Sequence, residues 1–287
     1  MRDDPLNVRD RLEETRRTIE AELERLLAGD ASRLFDAMRY AVLGGGKRFR
    51  PLLLLAAGQA FGAPREALLP YGCAVELIHN YSLVHDDLPS MDNDDFRRGK
   101  PSCHKAFGEG LALLAGDGLL SLAFEVIAGA PPPKGHVERK EQAFQEIAAA
   151  AGVQGMIKGQ WLDLSLLRQE VNADAYIDLI RRKTGALIAA SVRAGALLAG
   201  APLLGLGAVG EYGEAVGLAF QLHDDLADAG PAGLPSGLDA VSVFGPAGAR
   251  TRLEEILMKA VAALDKENVE SVELRYLAGM LSPGPEK

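Results

Sequence analysis

The feature that most narrows the fold is a rhythm of apolar residues at three- and four-residue intervals. It runs through 6–27, 31–43, 66–88, 108–128, 141–167, 174–199, 211–229 and 250–265. That spacing is the stripe of an amphipathic helix, and few stretches of β-branched alternation compete with it. Glycine and proline fall mostly between the stripes, in "GGGK" at 44–47, "GAP" at 62–64, "GAPPPKG" at 129–135, "GAPLLGLG" at 200–207 and "AGPAGLPSG" at 229–237. These are helix stop signals. With no break in composition, the pattern predicts about ten helices in a single all-α domain over 1–287.

Bulk properties exclude some classes of function. A net charge of −9 argues against general nucleic-acid binding, which needs a basic face. Cys73 and Cys103 lack metal-like spacing and are expected as small buried residues. The opening "MRDDPLNVRDRLEETRRTIE" is charged throughout and carries no signal-peptide pattern. The one membrane-like stretch, Ala186–Gly210, contains Arg193 and Pro202 and is rich in alanine and glycine. Those features favour a buried core helix over a membrane span. A soluble, cytoplasmic chain is expected.

Five aspartates crowd into 86–95, inside "LVHDDLPSMDNDDFRRGKP", and a loose echo, "HDDLAD", stands at 223–228. In a helix Asp224, Asp225 and Asp228 share one face, where like charges repel unless a cation neutralises them. The first copy spaces its carboxylates as Asp86, Asp87 and Asp92. Six residues of ideal helix rotate by about 600°, which would leave Asp86 and Asp92 about 120° apart. Pro89 lies between them and forces the helix to bulge or end, which lets Asp92 return toward Asp86. Oxygen ligands without neighbouring cysteine or paired histidines point to Mg²⁺. Mg²⁺ fills its shell with waters and substrate phosphates, so a phosphorylated partner is implied.

Basic residues flank the acidic ones. "GGGKRFRP" at 44–51 departs from a P-loop, with Ala41 at the first glycine and Arg48 at the Ser/Thr place. It still sets Lys47, Arg48 and Arg50 after a flexible turn. Arg97 and Arg98 follow the first acidic cluster, and His79 lies two helical turns before Asp86. Arginine forks and a lysine point charge suit phosphate oxygens.

With "GGGKRFRP", "ELIHNYSLVHDDLPSMDNDDFRRGKPSCHKAFGEGLALLAGDGLL", "GMIKGQWLDL", "RRKTGALIAASVRAGALLAG" and "GLAFQLHDDLAD" in order from 44 to 228, the sequence resembles the trans-isoprenyl diphosphate synthases. The likeness is greatest to the bacterial farnesyl diphosphate synthase-like branch. The resemblance implies an all-α homodimer whose helices surround a deep cavity, with Asp86, Asp87 and Asp92 holding Mg²⁺ on one wall and Asp224, Asp225 and Asp228 on the other. It implies three ions when the allylic diphosphate is bound. Lys47, Arg50, His79 and Arg98 match contacts to isopentenyl diphosphate, and Arg97 and Lys183 match contacts to the allylic diphosphate. Thr184 and Gln221 match groups whose oxygens face the allylic cation. Tyr81 matches the aromatic that limits product length at fifteen carbons. An ideal helix places Ser82 directly beneath Asp86 and rotates Tyr81 by about 140°, so Tyr81 must reach in from the side.

The implied activity is Mg²⁺-dependent condensation of isopentenyl diphosphate with dimethylallyl or geranyl diphosphate, giving farnesyl diphosphate. Geranylgeranyl and geranyl diphosphate are alternative products. Relatives carry a Gly-Lys pair and a Lys-Ser/Thr-Tyr-Pro segment after the second motif, whereas this chain has no lysine between Lys183 and Lys259. That departure leaves open a low-activity or non-catalytic subunit of a heteromeric synthase. A terpene cyclase is disfavoured, because "GGGKRFRP" and His79 serve a second diphosphate that a cyclase does not need.

Overall fold

The computed structural model describes residues 5–133, 136–166, 171–229 and 238–283. Among these, α1 (Pro5–Leu27), α2 (Arg33–Leu43), α3 (Phe49–Ala60), α4 (Arg65–Asp86), α5 (Cys103–Phe107), α6 (Glu109–Gly129) and α7 (Val137–Ala151) form the first half. The second half holds α8 (Met156–Leu166), α9 (Ala173–Ile180), α10 (Ala186–Ala199), α11 (Leu203–Asp228), α12 (Ala240–Lys266) and α13 (Val272–Gly279). A π-helical turn, Arg181–Gly185, joins α9 to α10. A two-residue antiparallel ribbon, Phe96–Arg97 against Lys100–Pro101, is the sole sheet among the described residues.

The helix ends follow local chemistry. Ser32, Asn172 and Ser271 cap α2, α9 and α13 by accepting from backbone amides three residues on. Asp239 and Ser242 make a reciprocal capping box at the start of α12. Proline lacks the amide that would continue α4, so α4 stops at Asp86, three residues before Pro89.

Several expected helices have different bounds. The 141–167 stretch divides into α7 and α8 around a turn at Gly152–Gly155, with residue 167 outside the described residues. The 174–199 stretch is interrupted by the π turn, and 211–229 and 250–265 extend back to Leu203 and Ala240. Helix α3 shows no stripe, because it is buried on all sides: Phe49 through Gly58 are all buried. Ala186–Gly210 is two helices, broken at Gly200, which caps α10 in the left-handed region, and at Pro202. Among the described residues the one helix apolar and long enough to cross a membrane is instead α6, of which a third is buried. Such a helix is also common as a core or interface element, so it is weak evidence of a span.

One continuous core joins the helices, centred on residues such as Leu53, Leu54, Leu77, Ile78, Leu187 and Ile188. Cys73 and Cys103 are buried and free. Within the core, Arg48 is buried in an ion pair with Glu76, 2.7 Å, and also donates to the Val42 carbonyl at 2.8 Å. This ties the "GGGKRFRP" loop to α4.

Small residues let helices cross closely. A Cβ on Gly195 of α10 would lie 2.1 Å from the Leu54 carbonyl oxygen of α3. A Cβ on Gly159 of α8 would lie 2.3 Å from the Lys183 amide nitrogen, and one on Gly217 of α11 2.7 Å from Gly185 Cα. The π turn is therefore gripped between α8 and α11. Backbone cannot yield as a flexible side chain does, so Gly195→Ala should cost about 1–3 kcal/mol. A lower midpoint in denaturant unfolding is the expected readout, and an unchanged midpoint would show that the α3–α10 crossing has slack.

Candidate active site

A cavity of about 1030 Å³ opens among α3, α4, α8, the π turn and α11. Its lining includes thirteen of the sixteen residues singled out in the sequence: Lys47, Arg50, His79, Tyr81, Ser82, Asp86, Asp92, Arg97, Arg98, Lys183, Thr184, Gln221 and Asp224. Asp87, Asp225 and Asp228 are outside it. Residues far apart in sequence meet because α4 ends at the cavity with Asp86 and the last turns of α11 bring Asp224 to it.

The first acidic cluster is a turn and not a bulged helix. The Asp92 amide donates to the Asp86 carbonyl at 2.9 Å, closing the chain back on the helix end. Asp86 and Asp92 thus both reach the cavity. Asp87 is buried and accepts from Arg97, whose Nε lies 3.0 Å away and whose Nη2 is also in contact. Burial and the neighbouring Asp92 push the Asp86 carboxyl up to about 6, against the pull of Lys183. Burial is the larger of the two causes, and a cation held beside the carboxylate would oppose it.

The second cluster divides in the same way. Asp224 faces the cavity with the Lys47 ammonium 3.8 Å away. Asp225 is buried and takes hydrogen bonds from the Tyr176 hydroxyl, from Gln221 Nε2 at 2.8 Å and from the Ala240 amide at 2.7 Å. Asp228 is exposed at the last position of α11. Residues 230–237, where the sequence lacks the relatives' lysines, lie outside the described residues.

The cationic side is built for an anion. Arg50 is buried, and its Nε meets no acceptor among the described residues. Its guanidinium lies 5.6 Å from the Phe220 ring centre, and the Lys47 ammonium lies 5.9 Å from it. Desolvation draws Arg50 down to about 10, which leaves it charged at neutral pH. Arg98 adopts the left-handed region, with φ 53°, and donates to the Gly45 carbonyl. Burial together with Arg50, Arg98, Arg48 and Arg97 holds His79 well below the usual imidazole range, so it is neutral there.

Lys183 pairs with Asp163 of α8. Burial opposes its charge, but Asp86, Asp163 and Asp92 outweigh that and raise it above the ordinary lysine value. Thr184 donates to Gln221 Oε1 at 2.7 Å. Tyr81 is buried against His85, ring centres 5.8 Å apart, and both Tyr81 and Ser82 border the cavity.

The sequence reading passed over Glu76, Gln160, Trp161, Asp163, Tyr176 and Phe220. Gln160 lines the cavity with neither amide atom partnered among the described residues, and Trp161, 60% exposed, borders it as well. The "GQWLDL" segment and the position of Phe220 beside Gln221 were the available signals. No three histidine, cysteine or acidic side chains converge on one point among the described residues. Asp86, Asp92 and Asp224 instead offer single hard oxygens from separate places. That donor set fits Mg²⁺, which draws the rest of its octahedron from water and phosphate oxygens.

Known proteins carry the same pattern. The polyprenyl synthetase family model matches residues 31–232. A farnesyl diphosphate synthase of Geobacillus stearothermophilus is 38% identical over 291 residues, covering 96% of this chain and 98% of that protein. The farnesyl diphosphate synthase of Escherichia coli is 47% identical over 194 residues, 67% of this chain and 65% of its own. An apo FPP/GFPP synthase structure from Zymomonas mobilis superposes with a TM-score of 0.85 at 37% identity, covering 97% of this chain and 98% of that one. On the family match, the relatives and the shared fold, the chain belongs to the polyprenyl synthetase family.

Proposed function

We propose that this trans-prenyltransferase condenses isopentenyl diphosphate with dimethylallyl or geranyl diphosphate and releases farnesyl diphosphate. The observation that carries the reading is one cavity with two charged corners. Asp86 and Asp92 lie with Lys183 at one, and an unanswered Arg50 with Arg98 and His79 at the other, with Asp224 beside Lys47. Two anionic substrates can then be held apart and pointed at each other.

Asp86, Asp92 and Asp224 are the residues that would hold Mg²⁺. Bound there, the ions supply Lewis-acid stabilisation of the negative charge on the departing pyrophosphate. Lys183 and Arg97 add fixed positive charge on the same side. Arg50, Arg98, Lys47 and neutral His79 bind the second diphosphate and orient its double bond. As the allylic C–O bond breaks, Thr184 and Gln221 present oxygens toward the carbon that becomes positive. Apolar lining such as Phe49, Met156 and Ile157 excludes water, which would otherwise trap the cation as an alcohol. The double bond of isopentenyl diphosphate attacks, the new C–C bond forms, and the adjacent proton leaves to the pyrophosphate oxygen.

Tyr81 and Ser82 border the cavity about one turn before Asp86, which supports the fifteen-carbon assignment. The apolar flank of α6 that the core leaves open, including Leu113 and Leu114, is the surface on which the homodimer would close.

Purified protein with Mg²⁺, labelled isopentenyl diphosphate and each allylic starter tests the reading. Farnesyl diphosphate is the expected product, abolished by chelator and restored by Mg²⁺. No elongation with any starter would leave the partner-subunit reading in its place. Asp86→Ala and Asp224→Ala should each lower kcat by about 100-fold or more, and wild-type turnover in both would refute the metal-holding role. Tyr81→Ala should shift the product toward twenty carbons or longer, read by chromatography. An unchanged chain length would remove Tyr81 as the floor.

A further inference from the structure

The buried carboxylate of Asp225 is the start of a directional hydrogen-bond chain. An ionised carboxylate only accepts, so the Gln221 group 2.8 Å from it must be the amide NH₂. Gln221 Oε1 is thereby turned the other way, where it accepts the Thr184 hydroxyl at 2.7 Å. The single Thr184 proton is then committed, and what remains free at that hydroxyl is lone pairs. Thr184 and Gln221 line the cavity, whereas Tyr176 and Asp225 do not. On the far side, the Tyr176 hydroxyl and the Ala240 amide both donate to Asp225 Oδ2, fixing the carboxylate from α9 and from the start of α12. Tyr176 is itself fully buried and packed edge-on to Phe244, ring centres 5.8 Å apart.

Reversal of any link changes what the cavity sees. An amide turned over would aim N–H groups toward Thr184, and the hydroxyl would turn its proton inward. Donor hydrogens repel a developing carbocation, whereas lone pairs stabilise it. We propose that Asp225, held by Tyr176, is a positioning residue that sets the polarity of the Gln221–Thr184 pair, and that it is not a direct metal ligand. The proposal rests on the prenyl-transfer reading above. It assigns the two consecutive aspartates of "HDDLAD" different tasks, with Asp224 facing the metal and Asp225 aiming an amide.

Tyr176→Phe removes one anchor without altering charge, and Asp225→Asn allows the amide to turn over. Both should lower kcat, by about tenfold and about 100-fold respectively, with KM for each diphosphate within about twofold. Calorimetric binding of inorganic pyrophosphate with Mg²⁺ should be unchanged in both and lost in Asp224→Asn. In a Gln221→Leu background, where no amide remains to be aimed, neither substitution should slow turnover further. The proposal is overturned if Asp225→Asn weakens Mg²⁺–pyrophosphate binding as Asp224→Asn does. It also fails if the losses multiply in the Gln221→Leu background. Should Asp225→Asn not fold, as a lost thermal transition would show, Tyr176→Phe alone decides, since wild-type kcat in that variant sinks the idea. Inactivity of the wild-type protein with every starter would instead remove the prenyl-transfer reading, while the pyrophosphate titrations would still report on Asp225.

Discussion

Consecutive side chains on a helix point about 100° apart, and here that separation sends two adjacent aspartates into different surroundings. The site is organised by that constraint. At the end of α4 and again near the end of α11, the first aspartate turns inward and the second turns into the protein. A buried carboxylate is costly unless it is well met by donors. Asp87 is met by Arg97, and Asp225 by Tyr176, Gln221 and the Ala240 amide. Each inward aspartate is therefore mounted beside an outward one that fixes the local backbone. The anchors also bring in their partners, Arg97 from the loop after α4 and the start of α12.

Gathering charge of both signs in one apolar enclosure needs a counterpart for each group. Lys183 finds Asp163, Lys47 approaches Asp224, and Arg48 is closed off by Glu76. Arg50 differs in that no carboxylate among the described residues pairs with it, and its buried Nε meets no acceptor there. Ion pairs already present at the acidic side can be exchanged for phosphate contacts at modest net cost. An unanswered guanidinium gains a full charge-assisted hydrogen bond when an anion arrives. The two corners of the cavity thus greet diphosphates on different energetic terms.

Much of this was legible in the sequence because the signals were local. Apolar spacing predicts most helices, and "GGGKRFRP", "RRKTG" and the segments "ELIHNYSLVHDDLPSMDNDDFRR" and "GLAFQLHDDLAD" around the paired "HDD" motifs mark thirteen residues that the fold brings to one cavity. Other features needed the third dimension. Helix α3 has no amphipathic stripe because every side is covered, so periodicity misses it. Helical phase puts Asp224, Asp225 and Asp228 on one face, but three residues span a wide arc and the cavity meets only its edge. Tyr176 carries no local signature, since its role comes from a partner 49 residues away.

The π turn at Arg181–Gly185 gives these long-range links a shared mechanical origin. A π turn holds one residue more than the α-helical turn it replaces. Taken as an ordinary helix, the segment would turn α9 by about 100° relative to α10. The hydrophobic stripe of α10 would be untouched, yet Tyr176 would face away from Asp225. A single extra residue, gripped between Gly159 and Gly217, thus acts as a phase shifter between the core-facing register of α10 and the site-facing register of α9.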